Sequence, residues 1–338
     1  MGYLRQKLAR NFHGEGLVIV PNSDLAAELA SVQENMSRVL VSGPLKFTRR
    51  GGAETSLSSG KMLRPKVILY TGLALGGSRE KLVDGATAVE LLHYASIIHD
   101  DIIDNATMRR GQVTPSGEFG PQKAVLWGDY FFAHALRYAG KLGDQAVQDV
   151  GEAVEQMVRG ELKQLESRGD LTLSAKDCLE QCKGKTGALL SLAAKLGATV
   201  AKSPYTIRAL AGEFGERFGI VFQWRDDYLD YFGDSSTLGK TVGRDMCEGV
   251  VTLPLLLAAH LSPQEQLIRA FAERSLAAEN LPEVRRWIVE SGAEQRFLQM
   301  MREQEHLALA ALKCLPPSFY RDALASIVQN GTVTTGHG

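Results

Sequence analysis

Residues 94–104 read YASIIHDDIID and residues 219–232 read GIVFQWRDDYLDYF, and these two stretches decide the predicted fold. Each places an Asp-Asp-x-x-Asp spacing inside an apolar segment with helical punctuation. On a helix, positions i, i+1 and i+4 span about 100° of arc, so each stretch presents three carboxylates on one face. The carboxylates belong to Asp100, Asp101, Asp104, Asp226, Asp227 and Asp230.

Three like charges on one helix face repel one another and disfavour the isolated helix. A hard divalent cation relieves that repulsion, and magnesium typically takes one or two carboxylates together with substrate phosphates. One such cluster is usually only a solvated helix face. Two clusters embedded in apolar sequence indicate a lined cavity, and we therefore predict a magnesium-dependent site.

Two further polar residues extend the acidic faces. Gln223 lies three residues before Asp226 and falls within the same arc of the helix. His93 lies two turns before Asp100 and about 20° from it around the helix. A lone histidine on an apolar helix is more often a satisfied core residue, so a structural and a functional interpretation of His93 both remain open.

Basic residues near these motifs predict phosphate as the ligand. Lys61 and Arg64 lie in GKMLRP at the start of a helix, where backbone N–H groups and cationic side chains together bind anions. Arg109 and Arg110 follow the first acidic cluster, and they form either a salt-bridge patch or two diphosphate contacts. Lys240 follows the second cluster by a few turns.

Residues 184–187 read GKTG within a helical stretch. A P-loop is excluded, because Leu179 stands where that motif requires its first glycine and no strand precedes it. The two glycines weaken the helix locally. We therefore predict a kink that frees backbone carbonyl groups beside Lys185 and Thr186.

Helical period and punctuation dominate the remaining sequence, and strand signals are few. Residues 22–24 (Asn-Ser-Asp) predict the N-cap of a first helix, Pro65 predicts the start of a second, and residues 76–77 (Gly-Gly) predict its end. The other predicted helices are 81–107, 121–140, 145–168, 174–200, 204–232, 250–260, 263–277, 281–292, 294–313 and 317–329. The predicted fold is an all-α bundle in a single domain over residues 1–338, with residues 330–338 frayed.

The composition excludes several classes of partner. Hydrophobic residues make up 44% and charged residues 23% of the 338 residues, which is typical of a soluble globular protein. The net charge of −1 creates no global field toward nucleic acid or an anionic membrane, so neither is expected as a partner. The first residues, MGYLRQKLARNF, lack the apolar core of a secretory signal, and no stretch approaches the roughly 20 apolar residues of a membrane span. A cytoplasmic protein without stable membrane insertion is expected.

Six stretches occur in an order that resembles the trans-type polyprenyl diphosphate synthases, the polyprenyl synthetase family. They are GKMLRP, LLHYASIIHDDIIDNATMRRG, LWGDYFFAHAL, GKTGALL, FQWRDDYLDYFGDSSTLGK and EGVVTLPLLLA, and they cover roughly residues 58–258. The resemblance implies an isoprenoid synthase-type helical bundle around a central cavity, and a homodimer. It also implies head-to-tail condensation of isopentenyl diphosphate with an allylic diphosphate (geranyl, farnesyl or geranylgeranyl), with release of diphosphate.

The resemblance also implies roles for individual residues. The first acidic motif would hold two magnesium ions and the second motif a third. The residues implied to bind isopentenyl diphosphate are Lys61, Arg64, His93 and Arg110. Those implied to bind the allylic diphosphate are Arg109, Lys185, Thr186, Gln223 and Lys240. The residues implied to act in catalysis are Asp100, Asp104, Lys185, Thr186, Gln223 and Asp226. The chain departs from the family at Val250, which stands where many members carry a further lysine, so one phosphate contact is lost there.

The expected chemistry begins with loss of diphosphate from the allylic substrate. The double bond of isopentenyl diphosphate attacks the resulting carbocation, and a proton is then lost to the departing diphosphate, since no side-chain base is evident. Carbonyl groups near Lys185 and Thr186 and the amide oxygen of Gln223 would face the cation as preorganised dipoles.

Ala95 and Ser96, five and four residues before Asp100, predict a long product. Both are small and lie about one turn below the expected metal site. In the polyprenyl synthetase family, aromatic residues at these positions stop growth of the prenyl product, whereas small residues let the product extend past them. The candidate residues for the floor of the tunnel are Phe131, Phe132 and Tyr138. They leave a shorter-chain farnesyl or geranylgeranyl synthase open, and ordinary helix packing is the other explanation for Ala95 and Ser96.

Three other functions compete with this one. A terpene cyclase or a head-to-head coupling enzyme needs no second diphosphate site, and Lys61, Arg64 and Arg110 argue against it. A non-catalytic subunit of a heteromeric synthase usually lacks intact acidic motifs, whereas both motifs are intact here. A helical scaffold does not explain two acidic clusters in apolar sequence.

Overall fold

The computed structural model describes residues 24–43, 62–109, 111–234 and 242–330, and helices account for most of them. The α-helices are α1 (Ala26–Val41), α2 (Leu63–Ala74), α3 (Arg79–Ile103), α4 (Pro115–Phe119), α5 (Pro121–Gly140), α6 (Asp144–Glu166), α7 (Ala175–Cys182), α8 (Ala188–Val200), α9 (Tyr205–Phe232), α10 (Arg244–Cys247), α11 (Leu253–Leu261), α12 (Glu265–Ala272), α13 (Leu281–Glu290), α14 (Ala293–Ala311) and α15 (Phe319–Asn330). A π-helix (Lys183–Gly187) joins α7 to α8, and short 3₁₀-helices cover Ala278–Asn280 and Leu312–Cys314.

The chain divides into two compact units. The first unit contains Met1–Gly151, Leu192–Gly212 and Ala311–Gly338, and the second contains Glu152–Ser191 and Glu213–Ala310. The prediction of one domain over residues 1–338 stays a prediction. Of the tail predicted to be frayed, Asn330 is the last residue of α15, and residues 331–338 lie outside the described part of the chain.

The first unit is organised around α3. This helix packs most extensively against α5 and also contacts α1 and α2. Leu82, Val89 and Leu92 on α3 are buried and lie within about 80° of one another around the helix, so they form one packed face. Gly197 of α8 lets that helix approach α2 closely, since a Cβ atom there would lie 2.7 Å from the carbonyl oxygen of Ile68. The first acidic motif therefore sits on a firmly packed helix.

The second unit is organised around the C-terminal half of α9, whose aromatic residues are buried. Phe218 and Trp224 are almost fully inaccessible, and the ring centroids of Trp224 and Phe297 on α14 are 5.9 Å apart. The hydroxyl of Tyr228 donates a 2.8 Å hydrogen bond to the buried carboxylate of Glu294, also on α14. These contacts fix the rotation of α9 and hence the direction in which the second acidic motif points.

Several helix ends differ from the sequence prediction. The N-cap of α1 is Leu25 rather than a residue of the 22–24 stretch, of which Asn22 and Ser23 lie outside the described residues. The start predicted for α2 at Pro65 is wrong, because α2 begins at Leu63 and Pro65 falls in its first turn, where a missing N–H leaves no helical bond unmade. Gly76 follows α2 with a φ of 80°, which confirms the predicted glycine stop.

The helix predicted to run to residue 107 ends at Ile103 instead. Asn105 has a left-handed φ of 51°, and this conformation turns the chain out of the helix. A short antiparallel pair follows, formed by β1 (Met108–Arg109) and β2 (Gln112–Val113). Two-residue strands are too short to show an alternating sequence pattern, which is why the prediction missed them.

The apolar segments of the described helices are all too short, or too often interrupted by charge, to cross a lipid bilayer.

Candidate active site

The first acidic motif lies at the end of α3, where Asp100 and Asp101 are in the last turn and Asp104 is the C-cap residue. Asp100 and Asp104 are half-buried, and Asp101 is only 2% exposed. Oδ1 of Asp101 accepts a hydrogen bond from Nε of Arg109 at 2.7 Å. Because β1 carries Arg109 back toward α3, the hairpin supplies the cation that balances this buried carboxylate. The sequence left open whether Arg109 forms an ion pair, and the structure shows that it does.

Arg64 lies in the first turn of α2, and the structure places the charge of Glu90 on α3 close to it. Nε of Arg64 and Oε2 of Glu90 are both inaccessible to solvent and lack a hydrogen-bond partner among the described residues. Burial lowers the pKa of Arg64, and the negative charge of Glu90 opposes this effect. Burial raises the pKa of Glu90, and the positive charge of Arg64 opposes that effect.

Sequence reasoning missed Glu90. The available signal was its position one turn before His93 and about 20° from Asp101 around the helix. His93 is half-buried and has interactions within the chain, so both interpretations of it remain open. Lys61 and Arg110, the other residues predicted to bind isopentenyl diphosphate, lie outside the described residues, as does Lys240.

The residues predicted to control product length lie on α3 and α5 of the first unit. Ala95 is 3% exposed, and the hydroxyl of Ser96 donates a 2.8 Å hydrogen bond to the carbonyl oxygen of His93. Phe131 is fully buried and meets the ring of Tyr94 edge-on at 5.0 Å. The other two floor candidates, Phe132 and Tyr138, are half-buried.

The second acidic motif lies near the end of α9. Asp226 is exposed, whereas Asp227 and Asp230 are buried. Nε2 of Gln223 donates a 2.9 Å hydrogen bond to Oδ1 of Asp227, and Oδ2 of Asp230 accepts one from the backbone N–H of Asp245 at 3.0 Å. Each of the two buried carboxylates therefore accepts a hydrogen bond from an N–H group of the chain.

Burial raises the pKa of Asp227 to about 7. The hydrogen bond from Gln223 and the charge of Lys185 act in the opposite direction, while the charges of Asp226 and Asp230 raise the pKa further. A cation bound beside Asp227 would stabilise the ionised carboxylate and lower this pKa.

The local distortion predicted at residues 184–187 is confirmed as the π-helix Lys183–Gly187, and the freeing of carbonyl groups there stays a prediction. Oγ1 of Thr186 donates a 2.7 Å hydrogen bond to Oε1 of Gln223. Because Gln223 in turn donates to Asp227, one hydrogen-bonded chain runs from the π-helix through an amide to the acidic motif. Gly219 lets α9 approach the π-helix closely, since a Cβ atom at this position would lie 2.6 Å from Cα of Gly187.

Two residues of α6 that sequence reasoning missed contact Lys185. Nζ of Lys185 donates a 3.1 Å hydrogen bond to Oε1 of Gln164, and it lies 3.5 Å from Oε2 of Glu161. Gln164 and Lys185 are separated by 21 residues, so no local pattern announces the contact. Gly160, immediately before Glu161, was a local hint of a close helix approach.

The donor chemistry of both motifs suits magnesium, which prefers carboxylate oxygens. Burial raises the pKa of Asp227, and the charges of Asp226 and Asp230 raise it further, so a divalent cation at the second motif would offset the repulsion among these carboxylates. In the first motif, Arg109 balances the charge of Asp101, and Asp100 and Asp104 supply half-buried carboxylates at the same end of α3. Within the described ranges, no three or more His, Cys, Asp and Glu side chains are gathered closely enough to enclose an ion.

Comparison with known proteins identifies the family. Residues 51–288 match the family model of the polyprenyl synthetases. The octaprenyl diphosphate synthase of Escherichia coli is 34% identical over 272 residues, which cover 79% of this chain and 84% of that protein. Component 2 of the heptaprenyl diphosphate synthase of Geobacillus stearothermophilus is 35% identical over 241 residues, covering 70% of this chain and 74% of that protein.

The structural comparison agrees with this result. The crystal structure of a polyprenyl synthase from Caulobacter crescentus, complexed with calcium and isoprenyl diphosphate, matches with a TM-score of 0.81 and 28% identity, covering 93% of this chain and 97% of that chain. The predicted all-α, isoprenoid synthase-type fold is thereby confirmed. By sequence and by fold, the chain belongs to the polyprenyl synthetase family.

Proposed function

We propose that this protein is a trans-polyprenyl diphosphate synthase that adds isopentenyl diphosphate to an allylic diphosphate and makes a product longer than farnesyl diphosphate. The observation that carries the proposal is the hydrogen-bonded chain from Thr186 through Gln223 to Asp227. It joins the π-helix to a buried acidic motif. Such a site suits the stabilisation of a carbocation beside a departing diphosphate.

Magnesium is the proposed cofactor, with three ions per active site. Asp100 and Asp104 would hold it at the first motif, with Asp101 supporting them, and the second motif would contribute Asp226, Asp227 and Asp230. Bound magnesium supplies Lewis-acid stabilisation of the leaving diphosphate. The calcium and isoprenyl diphosphate bound to the related Caulobacter crescentus enzyme support this assignment.

The remaining predicted residues bind and orient the two substrates. Arg64 and His93, with Lys61 and Arg110, would hold isopentenyl diphosphate. Arg109, Lys185 and Lys240 would hold the allylic diphosphate, and the ion pair of Arg109 with Asp101 fixes the guanidinium beside the first motif. The hydroxyl of Thr186 donates a hydrogen bond to the amide oxygen of Gln223 and uses one of its lone pairs. The amide is therefore oriented before the substrate binds.

The long product is supported by small residues below the first motif and by the relatives. Ala95 and Ser96 add no bulk one turn before Asp100, and the relatives reported above are named for octaprenyl and heptaprenyl products. A farnesyl or geranylgeranyl synthase is the shorter-chain alternative. The name of the Geobacillus stearothermophilus relative, component 2 of a synthase, favours a second alternative, in which this chain is one subunit of a heteromer.

The proposed setting is a cytoplasmic homodimer without a nucleic-acid partner or stable membrane insertion. The purified chain is incubated with labelled isopentenyl diphosphate, magnesium and geranyl, farnesyl or geranylgeranyl diphosphate, and the dephosphorylated products are separated by length. We expect a prenol longer than farnesol. Absence of product with every primer would contradict the proposal for the isolated chain, and activity restored by a second subunit would favour the heteromer.

Replacing Ala95 by Phe tests the proposed tunnel. Because Ala95 lies about one turn below the first motif, the larger ring should stop elongation early and shorten the product. Product length is measured in the same assay, and the melting temperature confirms that the variant is folded. A folded, active variant with the wild-type product length would contradict the role of α3 in setting length.

A further inference from the structure

We propose that Glu161 and Gln164 of α6 are positioning residues that hold the ammonium group of Lys185 where the allylic diphosphate binds. The proposal rests on the proposed function, because it assigns a role to residues beside a predicted substrate contact. Both contacts lie within the second unit. Neither residue carries a role predicted from the sequence.

The backbone brings these residues together. A Cβ atom on Gly184 would lie 2.7 Å from Cα of Gly160, and one on Gly160 would lie 2.8 Å from Cα of Gly184. Real Cβ atoms do not approach this closely, so both positions require glycine and the two main chains are in direct contact. Glu161 and Lys185 are the next residues along each chain. Their proximity is therefore set by packed backbone and not only by the reach of flexible side chains.

Lys185 makes one polar contact with a neutral acceptor and one with a charged group. Gln164 accepts one of the three N–H groups of Lys185 at 3.1 Å, and Glu161 places a carboxylate oxygen 3.5 Å from the ammonium nitrogen. Glu161 is 16% exposed, so water screens its charge less than that of a surface residue. Both contacts come from α6, about one turn apart, and they restrain the ammonium end of the flexible lysine side chain, while at least one N–H group remains for phosphate oxygens.

The sign of the electrostatic effect separates positioning from simple attraction. A carboxylate next to a diphosphate site repels the ligand, so removing the charge of Glu161 should strengthen binding if only the local net charge mattered. If Glu161 acts by orienting Lys185, removing its charge should weaken binding, because the lysine then loses its fixed direction. The two explanations therefore predict opposite changes in the KM for the allylic substrate.

The test compares steady-state kinetics of Glu161→Gln and Gln164→Leu with wild type. We expect the KM for farnesyl diphosphate to rise about five- to tenfold in each, as for loss of one charge-assisted contact, while the KM for isopentenyl diphosphate stays unchanged. Glu155→Gln is the matched control, since it breaks an exposed ion pair with Arg159 on the same helix. Melting temperatures exclude misfolding, and Gln164→Leu provides an independent test if Glu161→Gln does not fold.

A double variant shows whether Glu161 acts through the lysine. In a Lys185→Ala background, Glu161→Gln should change the KM for farnesyl diphosphate no further, because its target is gone. An additive increase would overturn the proposal, as would a lower KM in Glu161→Gln alone. A change confined to the magnesium dependence would also overturn it, by making Glu161 a metal ligand. If wild type itself makes no prenyl product, the proposed function has failed rather than the positioning role.

Discussion

The two acidic motifs share one spacing but differ in how the protein balances their charge. In the first motif, the most buried carboxylate, Asp101, receives a guanidinium from Arg109. In the second motif, the buried Asp227 receives the neutral amide of Gln223, and its pKa is raised to about 7. The comparison teaches that Asp-Asp-x-x-Asp spacing sets which helix face the carboxylates share, whereas burial and the surrounding groups set how each negative charge is balanced.

The largest expected effect tests whether both motifs are needed for turnover. Asp100→Asn and Asp226→Asn each keep the size of the side chain but remove one charged candidate ligand. We expect kcat to fall by about 10²- to 10³-fold in each variant, because less of the developing diphosphate charge is stabilised. Initial rates of product formation are measured at saturating substrate.

The control for these variants is Asp322→Asn, which alters an exposed carboxylate on α15 and should leave the rate unchanged. A loss confined to one motif would mean that the other has no part in the reaction.

The next prediction is that one substitution in each motif changes the free energy of unfolding in opposite directions. In magnesium-free buffer at pH 8, Asp101→Asn should destabilise the protein by about 2 kcal/mol, because Arg109 loses its charged hydrogen-bond partner. Asp227→Asn should stabilise it by about 1 kcal/mol or more, because burial and neighbouring aspartates oppose the charge that is removed. Thermal denaturation measures both changes. If they have the same sign, the contrast between the motifs is wrong.

The pH dependence of stability sharpens the same contrast. The pKa of Asp227 is about 7 in the folded protein, against about 3.9 for an unfolded aspartate, so folding favours the protonated form. The stability linked to this group is fully present below the unfolded pKa and is lost as the pH rises through 7. Without magnesium, the melting temperature of wild type should fall between pH 5.5 and about 8 more steeply than that of Asp227→Asn. Parallel curves for the two proteins would exclude Asp227 as the group responsible.

The smallest effect concerns protons released on metal binding. Carboxylate ligands bind metal in their ionised form, so magnesium should displace part of a proton from Asp227 at pH 6.5. Calorimetric titrations in two buffers with different heats of ionisation measure this release. Asp227→Asn should abolish it and Asp101→Asn should not. Equal release in both variants would place the titrating group elsewhere.

Much of the site could be predicted from the sequence because its signals are local. Because a helix has 3.6 residues per turn, the spacing of Asp226, Asp227 and Gln223 predicts that they share one helix face. The glycines around Lys185 and Thr186 predicted a distortion, and the π-helix lies there. The stop at Gly76 followed from the freedom of glycine to adopt positive φ.

Only the tertiary structure decided which distant groups contact the residues of the site. Arg109 reaches Asp101 because the chain turns at Asn105 into a hairpin too short to leave a pattern. Glu161 and Gln164 meet Lys185 because two distant glycine backbones touch. Local sequence sets backbone conformation and the facing of side chains, but burial and electrostatic balance depend on which distant segments pack together, and residue spacing alone carries no record of that.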